Sequence, residues 1–206
     1  PLAAPNGRIS GAEALVRWQH PARGLLMPDQ FLPVIEDTEL IRHLTDTVMD
    51  LALAQLRRWG DPEFRVAVNL SSLDMRDRDL PDRVAAALER HGVEPRLLTL
   101  EISENALWGS GLGEAQLDRL REGGVRVALD DFGTGMAPLS SLRDLPVDEL
   151  KIDRSFVHAM ADDPRDAALV GGLIRLGHDL GLTVVAEGVE TRAQAALLGG
   201  LGCDLL

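Results

Sequence analysis

Short β-rich runs alternate with longer helical patterns along almost the whole chain, and this alternation restricts the fold more than any other feature. Glycines at 60, 92, 123 and 181 lie just past the predicted helix ends, which is where a chain commonly leaves a helix. Strands that alternate with helices are typical of parallel βα units. Strands are predicted at 8–18, 64–70, 97–103, 125–130, 149–153 and 183–187, and helices at 28–37, 40–59, 81–91, 113–122, 164–180 and 191–198.

Two end segments, 2–5 and 203–206, look like truncated strands and bring the predicted total near eight. Eight strands close into a barrel with helices outside, so we expect an α/β fold of the TIM-like (βα)8 type. An open doubly wound sheet is the alternative. Linkers, low-complexity tracts and repeats do not divide the chain, so we expect 1–206 to be one domain. Because the chain starts without Met and stops within a predicted strand, we also expect a fragment of a longer protein.

The charge balance argues against several classes of function. The chain has 21 Lys and Arg against 33 Asp and Glu, a net charge of −12, which repels nucleic-acid backbones and anionic lipid. With three Trp, four Phe and no Tyr it offers little surface for stacking bases, so duplex nucleic acid is not an expected partner. No apolar run approaches the roughly 20 residues of a spanning helix. The single Cys203 suits a reducing compartment, and we expect a cytoplasmic domain in a parent protein that other segments could anchor to a membrane.

Polar side chains lie at or near the end of nearly every predicted strand. In a βα barrel the carboxyl ends of the strands meet at one mouth, where active sites form, so these side chains are expected to face one another. Arg17 follows Glu13 by four residues, and the period of two places both on one face of the predicted 8–18 strand. The strand-end residues are Glu13, Arg17, Asn69, Glu101, Asp130, Asp131, Lys151, Asp153 and Glu187.

The chemistry of this set indicates a hard metal ion. Its acidic and amide members offer only oxygen ligands, which suit Mg²⁺ or Mn²⁺ better than Zn²⁺ or copper. Neighbouring carboxylates raise one another's pKa unless a cation intervenes. Asp130 and Asp131 are adjacent and can serve two ions about 3.5–4 Å apart, an arrangement that supports phosphoryl displacement. The alternatives are that this pair caps the following turn and that a buried salt bridge compensates Glu101.

Two cations in the set also have two interpretations each. Lys151 can orient or deprotonate water or neutralise a phosphate, or it can simply form an ion pair with Asp153 or Asp130. Arg17 can bind phosphate, or it can be an ordinary strand residue that faces solvent.

Six sequence blocks, in order along almost the whole chain, resemble one family. They are GAEALVRWQHP, VNLS, LEISE, DDFGTG, LPVDELKIDRSFV and AEGVET, which begin at residues 11, 68, 100, 130, 145 and 186. The blocks are similar to those of EAL domains, the bacterial phosphodiesterases of cyclic di-GMP. The resemblance implies a TIM-like barrel whose first strand is antiparallel to the rest. The implied reaction is attack of water on one phosphodiester, which opens the cyclic dinucleotide to linear pGpG.

The resemblance also implies roles for individual residues. Lys151 would contact the attacking water and Glu187 would act as general base, while Arg17 would bind phosphate. Asp153 and Glu190 would be substrate-side carboxylates, and Glu104 would steady the loop after Asp131. The implied ligands are Glu13, Asn69, Glu101 and Asp130 for one Mg²⁺ or Mn²⁺, and Asp130, Asp131 and Glu187 for a second. The implied partners are cyclic di-GMP, a second copy in a homodimer, and GGDEF, PAS or other sensory modules.

One block departs from the family. Active members continue DDFGTG with Tyr-Ser-Ser, whereas this chain has Met136-Ala137-Pro138, which removes hydroxyls and stiffens the backbone. The alternative function is therefore a catalytically weak or silent EAL module that binds cyclic di-GMP or a protein partner. A third alternative, an enolase-like barrel, also places Mg²⁺-binding carboxylates and a lysine at the strand ends.

Overall fold

The computed structural model describes residues 1–5, 7–108, 113–135, 142–160 and 163–206. The main sheet has seven strands. In sheet order they are β1 (Leu2–Ala3), β2 (Ile9–Glu13), β5 (Arg65–Leu70), β6 (Leu98–Ser103), β7 (Arg126–Phe132), β8 (Glu149–Ile152) and β9 (Thr183–Ala186). A separate hairpin consists of β3 (Trp18–His20) and β4 (Gly24–Leu26).

Hydrogen bonding continues around the sheet until its two edges meet. β1 is antiparallel to β2, and every later pair in the main sheet is parallel. At the far edge Leu205 bridges Val185 of β9 in parallel. Leu206 and Ala3 exchange both of their backbone hydrogen bonds, at 2.7 and 3.0 Å, so the C-terminal segment joins β9 to β1. The result is a TIM-like barrel with an antiparallel first strand, as predicted.

Helices connect the parallel strands and cover the outside of the barrel. Thr191 caps one of them with its side chain and Gly60 ends another with φ 65°, so the sequence signals coincide with real boundaries. The described helices are α1 (Leu32–Ile35), α2 (Leu40–Trp59), α3 (Ser72–Met75), α4 (Leu80–His91), α5 (Glu104–Trp108), α6 (Gly113–Glu122), α7 (Arg154–Ala159), α8 (Pro164–Asp179) and α9 (Arg192–Gly200), with 3₁₀ turns at Pro28–Gln30 and Pro95–Leu97.

Two sequence predictions for the N-terminal region, the strand at 8–18 and the helix at 28–37, were wrong. The strand predicted at 8–18 ends at Glu13, and Trp18 belongs to the separate hairpin. Ala14 makes one more backbone bond to β5, at 2.8 Å from the Ala67 carbonyl oxygen, and the chain then leaves the sheet. The helix predicted at 28–37 is divided into a 3₁₀ turn and α1, because Pro33 cannot donate a backbone hydrogen bond inside a continuous helix.

The side chains of each strand alternate between the helical layer and the barrel interior. Outward residues such as Val68 and Leu100 pack in the main apolar cluster with Leu53 of α2 and Leu88 of α4. Because the period of a strand is two, the residues between them point into the barrel, and many of these are polar. Within the described ranges, no helix is both long enough and apolar enough to cross a membrane.

Candidate active site

The carboxyl ends of the parallel strands bring most of the predicted site residues together. Asn69 of β5 lies in register with Glu101 of β6, and Ser103 of β6 lies in register with Asp130 of β7. Lys151 is on β8, and Glu187 follows β9 directly. The polar groups therefore line one end of the barrel on neighbouring strands.

Lys151 is the centre of this group. Its Nζ lies 2.7 Å from Glu101 Oε1, 2.6 Å from Glu187 Oε1, 3.2 Å from Asp130 Oδ1 and 4.0 Å from Glu13 Oε2. The side chain is only 2% exposed. Burial lowers the pKa of Lys151, but the surrounding carboxylates raise it by more, so the net shift is upward and the ammonium stays charged. Of the two interpretations of Lys151, the ion pair with Asp130 is therefore present, as part of a larger cluster.

Glu101 carries the largest electrostatic penalty of the site. Burial is the largest cause of a pKa raised to about 9; Lys151 opposes the shift, and the charges of Glu13 and Asp130 add to it. The buried salt bridge with Lys151 exists, but it satisfies only Oε1. Glu101 Oε2 is buried and has no hydrogen-bond partner within the described part of the chain. A cation would satisfy this oxygen.

Asp130, Asp131 and Glu187 form the one candidate metal-binding cluster among the described residues. Oxygens of these three carboxylates lie within 4.8 Å of one another. Burial is the largest cause of a raised pKa at both Asp131 and Glu187, and in each case Asp130 adds to the effect. Each of these groups would be easier to ionise beside a cation.

The backbone at Asp131 explains how two adjacent carboxylates face one site. A regular strand would turn them to opposite faces. Asp131 instead has φ 55°, in the left-handed region, and it is the one non-glycine residue with positive φ in the described ranges. The turn that follows is bonded through the Asp131 carbonyl, which accepts from Thr134 Oγ1 at 2.8 Å. Asp130 Oδ1 also accepts from the Asp131 N–H at 3.0 Å, so one of the two side chains bonds the backbone at this turn while it faces the cluster.

Two further predicted residues contact the site or its loop. Asn69 Nδ2 donates to Glu13 Oε1 at 2.7 Å, which leaves the amide oxygen for another partner. Glu104 is buried and its Oε2 accepts from the backbone N–H groups of Gly133 and Gly135, at 3.2 and 3.4 Å. Glu104 thus holds the segment that leaves Asp131. The rest of that loop, with Met136-Ala137-Pro138, lies outside the described residues.

Three predicted substrate-side residues make contacts outside the cluster around Lys151, although the charge of Asp153 still raises the pKa of Asp131. Arg17 is exposed, is not part of the strand of Glu13, and donates to the Val16 carbonyl at 2.7 Å. Asp153 caps α7 and accepts from the Ser155 N–H at 2.9 Å. Burial raises its pKa, but the bonds from Ser155 and Arg154 and the charge of Arg154 together lower it by more. The exposed Glu190 lies 3.7 Å from His158 Nε2.

A cleft of about 740 Å³ opens beside the carboxylates. Asn69, Asp131, Ser71 and Asn105 line its polar side, and Leu15 and Ile41 belong to its apolar side. Ser71 and Asn105 were missed by the sequence analysis. The available signal for Ser71 was its position, because it directly follows a strand that contains the predicted ligand Asn69.

Charged residues at the opposite, amino ends of the strands were also missed. Arg65, Arg126 and Glu149 precede site residues on β5, β7 and β8. Their even spacing from Asn69 and Lys151 could have identified them as groups that point into the barrel.

Comparison with known proteins identifies similar sequences and structures. The family described as EAL domain matches residues 1–206. The chain is 46% identical to the bifunctional diguanylate cyclase/cyclic di-GMP phosphodiesterase MucR of Pseudomonas aeruginosa over 100% of this chain and 30% of MucR. It is 42% identical to the cyclic di-GMP phosphodiesterase NbdA of the same organism over 100% of this chain and 27% of NbdA. The chain thus spans about a third or less of these curated relatives.

A solved structure of the P. aeruginosa MucR phosphodiesterase in complex with c-di-GMP superposes with a TM-score of 0.93 and 45% identity, over 100% of this chain and 85% of that one. The EAL enzyme Bd1971, bound to cAMP and cyclic di-GMP, gives a TM-score of 0.94 and 30% identity over 100% of this chain and 58% of that one. Both of these similar structures contain bound cyclic di-GMP.

Proposed function

The chain belongs to the EAL domain family, and from this premise we propose that it hydrolyses cyclic di-GMP to linear pGpG with the help of divalent metal ions. The observation that supports this most directly is the contact of buried Lys151 with carboxylates from four strand ends, beside an open cleft. MucR and NbdA, which are similar over the whole chain, are cyclic di-GMP phosphodiesterases by name.

The charge of the cluster supports two divalent cations. Once a cation has displaced the proton of Glu101, the five carboxylates and one ammonium give −5 + 1 = −4, which two Mg²⁺ or Mn²⁺ ions would neutralise. The buried Glu101 Oε2 without a partner supports the same assignment. Bound metal would polarise a phosphate oxygen and lower the pKa of water. The proposed ligands are Glu13, Asn69, Glu101 and Asp130 for one ion, and Asp130, Asp131 and Glu187 for the other.

The protein side chains would perform the remaining work. Lys151 holds the attacking water at the cluster, and Glu187 accepts its proton, a role that suits a carboxylate whose pKa is raised by burial. The water oxygen bonds to phosphorus, the bond to O3′ breaks, and the 3′ oxygen takes up a proton. Arg17 would bind the phosphate with its guanidinium, while Asp153 and Glu190 would contact the substrate from the rim.

A second function is favoured by the sequence of one loop. Met136-Ala137-Pro138 lacks the hydroxyls of active members, which supports a weak enzyme or a receptor for cyclic di-GMP. Under either function we propose a cytoplasmic location, a homodimer, and GGDEF, PAS or other sensory modules as partners. An enolase-like reaction is not proposed, because the chain belongs to the EAL family.

The test is incubation of the full-length gene product with cyclic di-GMP and Mg²⁺ or Mn²⁺, followed by chromatography for pGpG. The matched control is Asp130→Asn, which removes the charge shared by both proposed metal positions and keeps the side chain's shape. Formation of pGpG by the unaltered protein only would support the enzyme. Nucleotide binding without pGpG in any metal would favour the receptor.

A further inference from the structure

A second group of charges lies inside the barrel at the end opposite the carboxylate cluster. Arg65, Arg126 and Glu149 are the first residues of β5, β7 and β8. We refer to these three as the basal triad. Glu149 Oε1 accepts from Arg126 Nε at 2.8 Å and also from Arg65 Nη1, so one buried carboxylate oxygen serves two guanidinium groups. Glu149 is 2% exposed.

The basal triad spans the barrel interior. The strand order is β5-β6-β7-β8, so Arg65 reaches Glu149 past two intervening strands, while Arg126 reaches it from the neighbouring strand. Arg126 Nη2 also lies 3.5 Å from Thr183 Oγ1 at the start of β9. Directional contacts therefore connect four of the strands whose other ends carry the site.

Each strand of the basal triad also carries a site residue on the same face. Asn69 lies four residues after Arg65, Asp130 four residues after Arg126, and Lys151 two residues after Glu149. Even spacing keeps the side chains on the inner face, and the strand rise puts the Cα atoms of Glu149 and Lys151 only about 6.6 Å apart. Because the two residues are so close on one strand, a shift of β8 that moves Glu149 would move Lys151 by about as much.

We propose that the basal triad is a positioning device that sets the register of β5, β7 and β8, and thereby the separation of Asn69, Asp130 and Lys151. The proposal rests on the function proposed above. Buried ion pairs contribute little net stability, because desolvation offsets their attraction, whereas their directional geometry favours one arrangement over others. The contacts of Lys151 at 2.6 to 3.2 Å need such an arrangement, since a displacement of about 1 Å can slow a reaction about 100-fold.

The competing explanation is that the basal triad only closes the lower end of the barrel and stabilises it. The two explanations differ for an apolar replacement. Well-packed apolar residues of similar volume often preserve or increase stability when they replace a buried ionic triad, but they do not enforce a directional register. A purely structural triad could therefore be replaced without an effect on the site.

The decisive variant combines Arg65→Met, Arg126→Met and Glu149→Leu in the full-length gene product. We expect its melting temperature to be within about 3 °C of the unaltered protein or higher. We also expect the Kd for Mn²⁺, measured by calorimetry, to rise at least fivefold, and kcat at saturating Mn²⁺ to fall at least tenfold. KM for cyclic di-GMP should change less than kcat, because two of the three proposed substrate contacts, Arg17 and Glu190, lie outside the three strands, whereas Asp153 directly follows β8. A folded variant with unchanged Kd and kcat would overturn the proposal.

A single substitution provides the test if the triple variant does not fold. Glu149→Gln keeps the shape of the side chain and removes its charge, and it should reproduce the losses in Mn²⁺ affinity and kcat. The matched control is Val170→Ala, which removes a fully buried side chain of α8 outside the barrel interior and lowers the melting temperature without touching the triad. Equal losses of kcat in both variants at a temperature where both are folded would mean that the triad acts only through stability.

The same measurements separate this proposal from the proposed function. If the unaltered protein binds Mn²⁺ but forms no pGpG, the proposed function fails and the Mn²⁺ dissociation constants alone decide the role of the triad. If the unaltered protein forms pGpG and the triple variant matches it, the function stands and the positioning role is wrong.

Discussion

The proton held by Glu101 should make metal binding strongly dependent on pH. The net pKa of this carboxyl is about 9, because burial and the charges of Glu13 and Asp130 raise it by more than Lys151 lowers it. We therefore expect Glu101 to hold a proton at pH 7 when no cation is bound. A divalent cation has to displace this proton before the carboxylate can serve as a ligand.

The size of the effect follows from the distance between pKa and pH. Because pH 7 lies about two units below the pKa of about 9, ionisation of Glu101 at this pH costs about 3 kcal/mol. Below that pKa the affinity for Mn²⁺ should rise about tenfold per pH unit for one released proton, or about 100-fold between pH 6 and 8. Above pH 9 this contribution should level off.

Isothermal titration calorimetry of the metal-stripped full-length protein with Mn²⁺ measures the affinity at each pH and the number of protons released on binding. Titrations in two buffers with different ionisation enthalpies give the protons released per ion, and we expect about one from Glu101 at pH 7. The control is Glu101→Gln, which holds no titratable proton at this position. Its pH slope should be smaller by about one unit, and its affinity at pH 8 should be weaker. Identical slopes in the two proteins would refute the reasoning.

Three further outcomes are expected. Lys151→Ala and Glu187→Gln should each lower kcat strongly while nucleotide affinity in Ca²⁺ stays within about tenfold, or ~1.4 kcal/mol; turnover equal to that of the unaltered protein would contradict their roles. Replacement of Met136-Ala137-Pro138 by Tyr-Ser-Ser should increase pGpG formation at limiting Mg²⁺ and less so at saturating Mn²⁺; no increase under either condition would make the loop sequence neutral. Asp131→Gly and Asp131→Ala should both weaken Mn²⁺ binding, but calorimetric melting should find the glycine variant more stable by about 1 kcal/mol, since only glycine adopts φ 55° without strain. A more stable alanine variant would argue against the left-handed turn.

Much of the barrel could be predicted from local sequence. The strand predicted at 64–70 is Arg65–Leu70, and the one predicted at 97–103 is Leu98–Ser103. Such elements are encoded within a few residues, by apolar periodicity and by the turn residues that follow. Strand ends that carry carboxylates also predicted where the site residues converge, because the ends of parallel strands lie at one edge. The resemblance to EAL domains supplied their individual roles.

Other predictions failed or were not available, because the deciding contacts are distant in sequence. The strand predicted at 8–18 is β2, which ends at Glu13 because the chain leaves the sheet after one further bond from Ala14. Arg17 is consequently not a neighbour of Glu13 on a strand face. Periodicity alone places a residue on a face, but it does not say where a strand loses its partner.

The sequence by itself determined the alternation of the main-sheet strands with their longer helices, the oxygen-rich ligand chemistry and the family. Only the tertiary structure decided that Lys151 lies among carboxylates of four strand ends, that Asp131 turns toward the same site as Asp130, and that Glu149 joins two arginines beneath them. The physical reason is that local patterns specify which way a side chain points along its own strand. Closure of the barrel, through Leu206 and Ala3, then determines which of these side chains meet.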